Sequence, residues 1–237
     1  MPLEFLFRKN SSQKWLLLLL GLFFISFQGY AQSPALIFPP GAENAVSVHV
    51  FIVGWSKDGK LAYWKLFPSS LPGPHLQLFV ADLVSDEDSM VLAIPLDPYT
   101  SSYGHLVLDY WGPRAAEIRQ ILAQYSITNS NPLRLLQFPF FEKGSWTDAK
   151  LSQSPSKSGA VIEEWSVELH KTHPSLKKEV SSQKAWKSLG RKELRLEGFL
   201  SSPTENRIAI LVSWLDPQDF RDFQWLGAHL SLGWVDP

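Results

Sequence analysis

Residues 206–215, NRIAILVSWL, are apolar at nearly every position. A β-strand sends successive side chains to opposite faces, so such a run has to be covered on both sides. It is therefore expected in the middle of a sheet, not at an edge. The stretch 46–56, VSVHVFIVGWS, makes the same demand. Its β-branched and aromatic residues favour extended backbone and leave no face for water.

Around these two runs the chain reads as short strands joined by polar turns. At Ser56-Lys57-Asp58-Gly59 it should reverse, because Asp favours a turn and Gly takes the left-handed conformation that a short hairpin loop needs. KLAYWKLF then returns as the partner strand. LQLFVADLV and MVLAIPL, on either side of the acidic turn SDEDS, read as a second hairpin, so that four consecutive strands make a β-meander. In AVIEEWSVELHKTH, Val161, Trp165, Val167 and Leu169 alternate with Glu164, Ser166, Glu168 and His170, the pattern of a half-buried strand. KELRLEGFL and FQWLGAHLSLGW are the strands expected before and after the 206–215 run.

The period changes at 113–126, where Ile118, Ile121, Leu122 and Tyr125 fall at i, i+3, i+4 and i+7 behind a proline suited to a helix's first turn. LRLLQFPFF, just after, reads as a strand. The segment 142–159, EKGSWTDAKLSQSPSKSG, is polar and holds Gly, Ser and Pro, so it reads as a surface loop or flexible insertion. A second insertion is expected at 171–192, inside a lysine-rich stretch 171–195 that fits either a short helix or a basic loop. The fold class expected is α+β: predominantly antiparallel sheet built from meander hairpins, with one main amphipathic helix packed on it.

The first 31 residues have the pattern of an export signal: Arg8, Lys9 and Lys14, then WLLLLLGLFFISF, then Gly29 and Ala31 as the small residues a signal peptidase requires. Cleavage is expected after Ala31. An uncleaved anchor is the competing reading, but 15–27 is shorter than the ~20 residues a helix needs to cross a bilayer. Residues 32–237 then form one β-rich exported domain, in the periplasm or outside the cell, that is not integral to the membrane. The formal charge of −1 becomes about −3 once the basic leader is removed, which argues against nucleic acid as a partner. There are no cysteines, so thiolate catalysis, disulfide exchange and cysteine-ligated zinc are excluded.

GWSKDGKLAYW together with LQLFVADL resembles one blade of the TolB-type propeller repeat, with Lys57 where the repeat carries proline. GFLSSPTENRIAIL is a weaker second echo. Two copies so far apart do not supply the four or more evenly spaced blades of a full propeller. Over most of its length the chain is similar to a family of predicted secreted bacterial proteins of unknown function, through GWSKDG, a Ser-Pro segment leading into RIAI, and GAHLSLG. Trp234 stands where that family is expected to have Phe or Tyr. The resemblance implies export and one β-rich domain, and it brings no catalytic residue.

No Gly-x-Ser-x-Gly elbow and no His-Glu-x-x-His occurs. Ser102, His105 and Asp109 have the residue types of a triad, but only spatial arrangement defines one. His170 and His173 would share a metal if helical, and the strand pattern before them places them at the surface instead. His229 reads as a packed histidine or a general base, and Asp86-Glu87-Asp88 as a solvated turn in place of a calcium loop. The basic segment, with Trp186 as anchor, could meet anionic lipid or polysaccharide. Trp55 and Trp64 are the candidate ligand-binding residues: if both face solvent, their indoles would make a platform for sugar C–H faces, and if buried they are core. No cofactor or metal is expected. The expected function is a non-enzymatic binding or cell-envelope-associated protein, with polysaccharide or protein as partner. The alternative is an exported hydrolase with His229 or His105 as base.

Overall fold

The computed structural model describes residues 35–37, 46–67, 76–95, 103–129, 134–155, 158, 162–184, 192–215 and 220–235, and the leader lies outside them. Within Ser33–Pro237 the described residues form three sheets and one helix. The first sheet runs in the order β1 (Ala35–Ile37), β3 (His49–Ser56), β4 (Lys60–Leu66), β5 (Leu76–Asp82), β6 (Glu87–Ile94), with β7 (Ile127–Asn129) pairing β3 off this path. A central sheet consists of β12 (Lys192–Ser201), β13 (Arg207–Leu215) and β14 (Phe220–His229), and the short β2 (Val46–Ser47) lies parallel to β14. An outer sheet runs β11 (Ser175–Lys184), β10 (Ile162–Thr172), β9 (Ser145–Pro155), β8 (Phe140–Glu142). Every pairing except that of β2 is antiparallel. The expected meander is present as β3 to β6.

The apolar run of β13 fills both faces of the central sheet. Ala209 and Leu211 share a cluster with Val50, Ile52, Trp55 and Tyr63 of the first sheet. Ile208, Ile210, Val212 and Trp214 belong instead to the cluster that holds Trp165, Val167 and Leu169 of the outer sheet. On the far face of the first sheet a third cluster joins Phe51, Trp64 and Leu78 to Ile118 and Leu122 of the helix α1 (Tyr103–Gln124). Each large apolar side chain buried this way contributes about 1.5–3 kcal/mol of transfer free energy.

Three turns meet at one end of the stack. In the β3–β4 turn Gly59 has φ +81°, and the Lys60 N–H donates to Ser56 Oγ at 2.8 Å. The β12–β13 connection lies against it: Thr204 Oγ1 donates to the Ser56 carbonyl at 3.2 Å, and Arg207 reaches the Leu83 carbonyl of the β5–β6 turn at 2.9 Å. Gly227 of β14 completes the junction, its N–H donating to Asp86 Oδ1 at 2.7 Å. The GWSKDG, Ser-Pro-to-RIAI and GAHLSLG motifs thus supply residues to one packed corner.

Five elements differ from expectation. LRLLQFPFF enters a strand only at its end, with Phe140 and Phe141 in β8, and Leu136 makes a single bridge to Phe199. Residues 145–155 form strand β9 instead of a loop, with Ser145 and Thr147 buried and Trp146, Asp148 and Lys150 exposed. Ten residues of the basic segment form β11, pairing with β10 through a His173-Pro174 turn. The acidic turn is shifted: the reversal occupies 83–86, while Glu87 and Asp88 already lie in β6. The helix starts at Tyr103, with Pro113 inside it, although proline costs a hydrogen bond there. The run LVLDYW before it is too short for periodicity to separate helix from strand. Its C-terminal end closes near the expected position, where Tyr125 and Ser126 N–H groups donate to Leu122 and Ala123. No helix among the described residues is long and apolar enough to cross a membrane.

A Cβ added at Gly227 would lie 1.7 Å from the Leu83 carbonyl oxygen, so Gly227→Ala has to push the central sheet off the first. It is expected to lower the unfolding free energy by about 3 kcal/mol or more. Gly144→Ala meets no atom within 4 Å and strains only a backbone at φ +82°, so it should cost about 1 kcal/mol. Urea denaturation of the two variants checks this order.

Candidate functional site

The hairpin β8–β9 turns on Lys143-Gly144, whose φ values of +51° and +82° are those of a two-residue turn with both residues left-handed. Such a turn fixes the register without freedom: Glu142 faces Ser145, and Phe141 faces Trp146. A two-residue loop makes its first pair the hydrogen-bonded one, so Phe141 and Trp146 form the closer, non-hydrogen-bonded pair on one face. The Trp146 N–H accordingly points away from β8 and donates to Thr172 Oγ1 at 3.1 Å. The two rings lie 5.3 Å apart at an interplanar angle of 58°, and the residues are 60% and 50% exposed. Their neighbours Phe140 and Thr147 point the other way, Phe140 against Phe138 and Phe199.

From this pair a polar field extends over the outer face of the outer sheet. Along β9 the same face carries Asp148 and Lys150, and residues two apart on a strand are spaced by about 7 Å. Across the ladder, Asp148 is paired with His170 and Lys150 with Glu168. On the other side His170 is paired with Lys177 and Glu168 with Glu179. His170 Nε2 lies 3.4 Å from Glu168 Oε2. The face is a grid of hydrogen-bonding groups of both signs, with an aromatic corner.

The tryptophans singled out in the sequence lie elsewhere. Trp55 is fully buried between the first and central sheets, and Trp64, 1% exposed, is buried on the opposite face of the first sheet. A β-bulge between Ile52 and Gly54 separates them. Strict alternation would put Trp55 on the face of Phe51 and Val53, in the cluster that holds Trp64, and the bulge turns it to the other face. Both indoles are therefore core, the reading that burial selects, and make no platform for a ligand; among the described residues Phe141 and Trp146 form an exposed aromatic pair. Sequence reasoning passed over them because the buried partners on β9, Ser145 and Thr147, are polar. The alternation of Trp146, Asp148 and Lys150 behind Lys-Gly was the available signal.

Of the triad residues, Ser102 and the side chains of His105 and Asp109 lie outside the described residues. His170 is on the open sheet face, whereas His173 sits in the following turn, its N–H donating to Ser145 Oγ at 3.3 Å. His229 Nδ1 accepts from the Ser231 N–H at 3.2 Å. Among the described residues no group of three or more His, Asp or Glu is placed to hold a metal. The basic segment turns part of its charge inward: Lys171 donates to the Leu230 carbonyl and sits 4.2 Å from the Trp234 ring centre, and Lys178 donates to the His229 and Leu232 carbonyls. Trp186 lies outside the described residues.

Two polar clusters are structural in their geometry. In the central sheet Ser213 bonds Glu197, and Arg221 donates to Ser213 Oγ at 2.9 Å, all three being buried. Between the first and central sheets, the buried Lys65 ammonium donates to Asp222 at 2.8 Å and to the Phe223 carbonyl at 2.8 Å. Asp88 stands at the rim of that contact. Its residue surface is open, but its carboxyl turns in beside Tyr63, and loss of water raises its pKa despite the nearby Lys65. Burial also raises the Asp86 carboxyl, while the Gly227 N–H bond acts against the rise.

No family model, curated protein or solved structure matches the chain.

Glu197→Ala leaves a buried guanidinium and hydroxyl short of a partner and is expected to cost about 3 kcal/mol in unfolding free energy. Asp88, with its folded pKa raised above 3.8, contributes stability that is present below that value and lost as pH rises through the folded value. Asp88→Asn should accordingly melt at a higher temperature than the wild type at pH 7, and the gap should close toward pH 4. Thermal scans across that range, showing a gap that grows on acidification, would contradict the assignment.

Proposed function

We propose that this chain is an exported, non-enzymatic binding or cell-envelope-associated protein that engages its partner through the outer face of the outer sheet. The observation that carries the reading is the Phe141–Trp146 pair, two large rings held side by side at the surface by a turn that leaves their register no freedom. Exposed large apolar side chains grouped over a rigid scaffold mark interaction surfaces more often than solitary ones do. The face behind them is an exposed sheet surface of hydrogen-bonding groups, which favours adsorption of a partner over enclosure of a substrate. The hydrolase alternative draws less support, since His229 spends its Nδ1 on a backbone N–H next to it.

Export is supported by the leader, with its basic start, apolar run and Gly29/Ala31 ending. Membership in the family of secreted bacterial proteins of unknown function is likewise our proposal, and the meeting of its three motifs in one corner gives them a shared structural reason. We also take α1 to be the amphipathic cover of the first sheet, a reading supported by the burial of Ile118 and Leu122 in a cluster with that sheet.

Co-sedimentation of the purified mature chain with washed envelope fragments tests the reading. The wild type should pellet with the fragments, and Phe141→Ala/Trp146→Ala should bind at least about tenfold more weakly with an unchanged melting temperature. A double variant that pellets like the wild type would remove the basis for this surface.

A further inference from the structure

We infer that the ligand of the outer face is a neutral polysaccharide, its sugar rings stacked on Trp146 and Phe141 and its hydroxyls bonded by the side chains behind them. The inference rests on the binding reading above and narrows it to one chemical class. A pyranose ring has an apolar C–H face and an equatorial rim of hydroxyls. It therefore needs an exposed aromatic ring next to groups that both donate and accept hydrogen bonds. The corner supplies the first requirement, with two rings 5.3 Å apart and at least half exposed. The second is met by Asp148 as acceptor, two residues along β9 from Trp146, and by Lys150 as donor two residues farther on the same exposed face.

Charge decides between this occupant and the others. Lys150 and Lys177 are interleaved with Asp148, Glu168 and Glu179 on the same face, and Lys150 is paired directly with Glu168. Opposite charges at cross-strand spacing cancel each other's field within a Debye length. Neither an acidic polysaccharide nor an anionic bilayer finds the continuous basic stripe that would hold it, and the carboxylates repel both. An apolar peptide strand would need a run of apolar partners, yet beyond Phe141 and Trp146 the face offers charged and hydroxyl side chains. A neutral chain rich in hydroxyls is the ligand whose needs this grid fits.

The test is affinity electrophoresis of the full mature chain in gels containing soluble neutral glucan, mannan, galactan or xylan, alongside alginate gels and flotation with phosphatidylglycerol vesicles. Retardation is expected in at least one neutral gel and in neither the alginate gel nor the vesicle assay. Trp146→Ala should weaken that retardation about tenfold, Trp146→Tyr should keep most of it, and Asp148→Ala should weaken it severalfold, all with unchanged melting temperatures. Lack of retardation in all four neutral gels, or retardation that survives Trp146→Ala, overturns the inference. If envelope binding is lost in Phe141→Ala/Trp146→Ala while no neutral glycan retards the wild type, the glycan assignment falls and the binding surface stands. If the double variant binds the envelope normally, both fall.

Discussion

The two-sided burial of β13 is the constraint on which the rest of this structure depends. A strand that is apolar at Ile208, Ala209, Ile210, Leu211 and Val212 in succession has no face to offer water, so the central sheet can exist only between two others. The first and outer sheets are what it requires. Each presents one apolar face inward; the other face of the first sheet is apolar as well and clusters with α1, whereas that of the outer sheet is polar. The outer sheet has a single remaining face, which is wet, and the candidate surface is that face.

Stacking sheets in this way leaves edges to be dealt with, and the edge of β14 shows how. β2 covers it only at Phe220 and Arg221. Farther along, Lys65 of the first sheet donates to the Phe223 carbonyl, and Asp86 accepts the Gly227 N–H. Side chains of one sheet thus take the place of a missing neighbour strand in the next, so the edge offers less to a foreign strand. The arrangement needs the two backbones close together, and the absence of a side chain at Gly227 permits it. The polar groups brought into this contact come with a cost, since Asp86 and Asp88 would be more comfortable in water.

Much of this was legible in the residues. β3, β4, β10 and β13 announce themselves by alternation or by unbroken apolar runs, and Asp58-Gly59 marks its own turn. What was hidden had physical reasons. β9 buries Ser145 and Thr147, so its inward face does not look apolar, and β11 has Lys178 on its inward face, so that a strand reads as a basic tract. The helix passes through Pro113, which a sequence reader takes as a beginning. The orientation of Trp55 depended on one inserted residue in β3, and a bulge leaves no reliable mark in composition. The exposed pair at Phe141 and Trp146 was concealed by the same polar residues that concealed β9.

The order in which the sheets occur along the chain differs from the order in which they stack. The meander β3 to β6 of the first sheet is written at 49–94 and the outer sheet at 140–184, but β12 to β14, which lie between them, follow both at 192–229. Until that final segment is available, two finished meanders each hold out an apolar face with nothing to close on. Their union depends on contacts distant in sequence, which are slow to form.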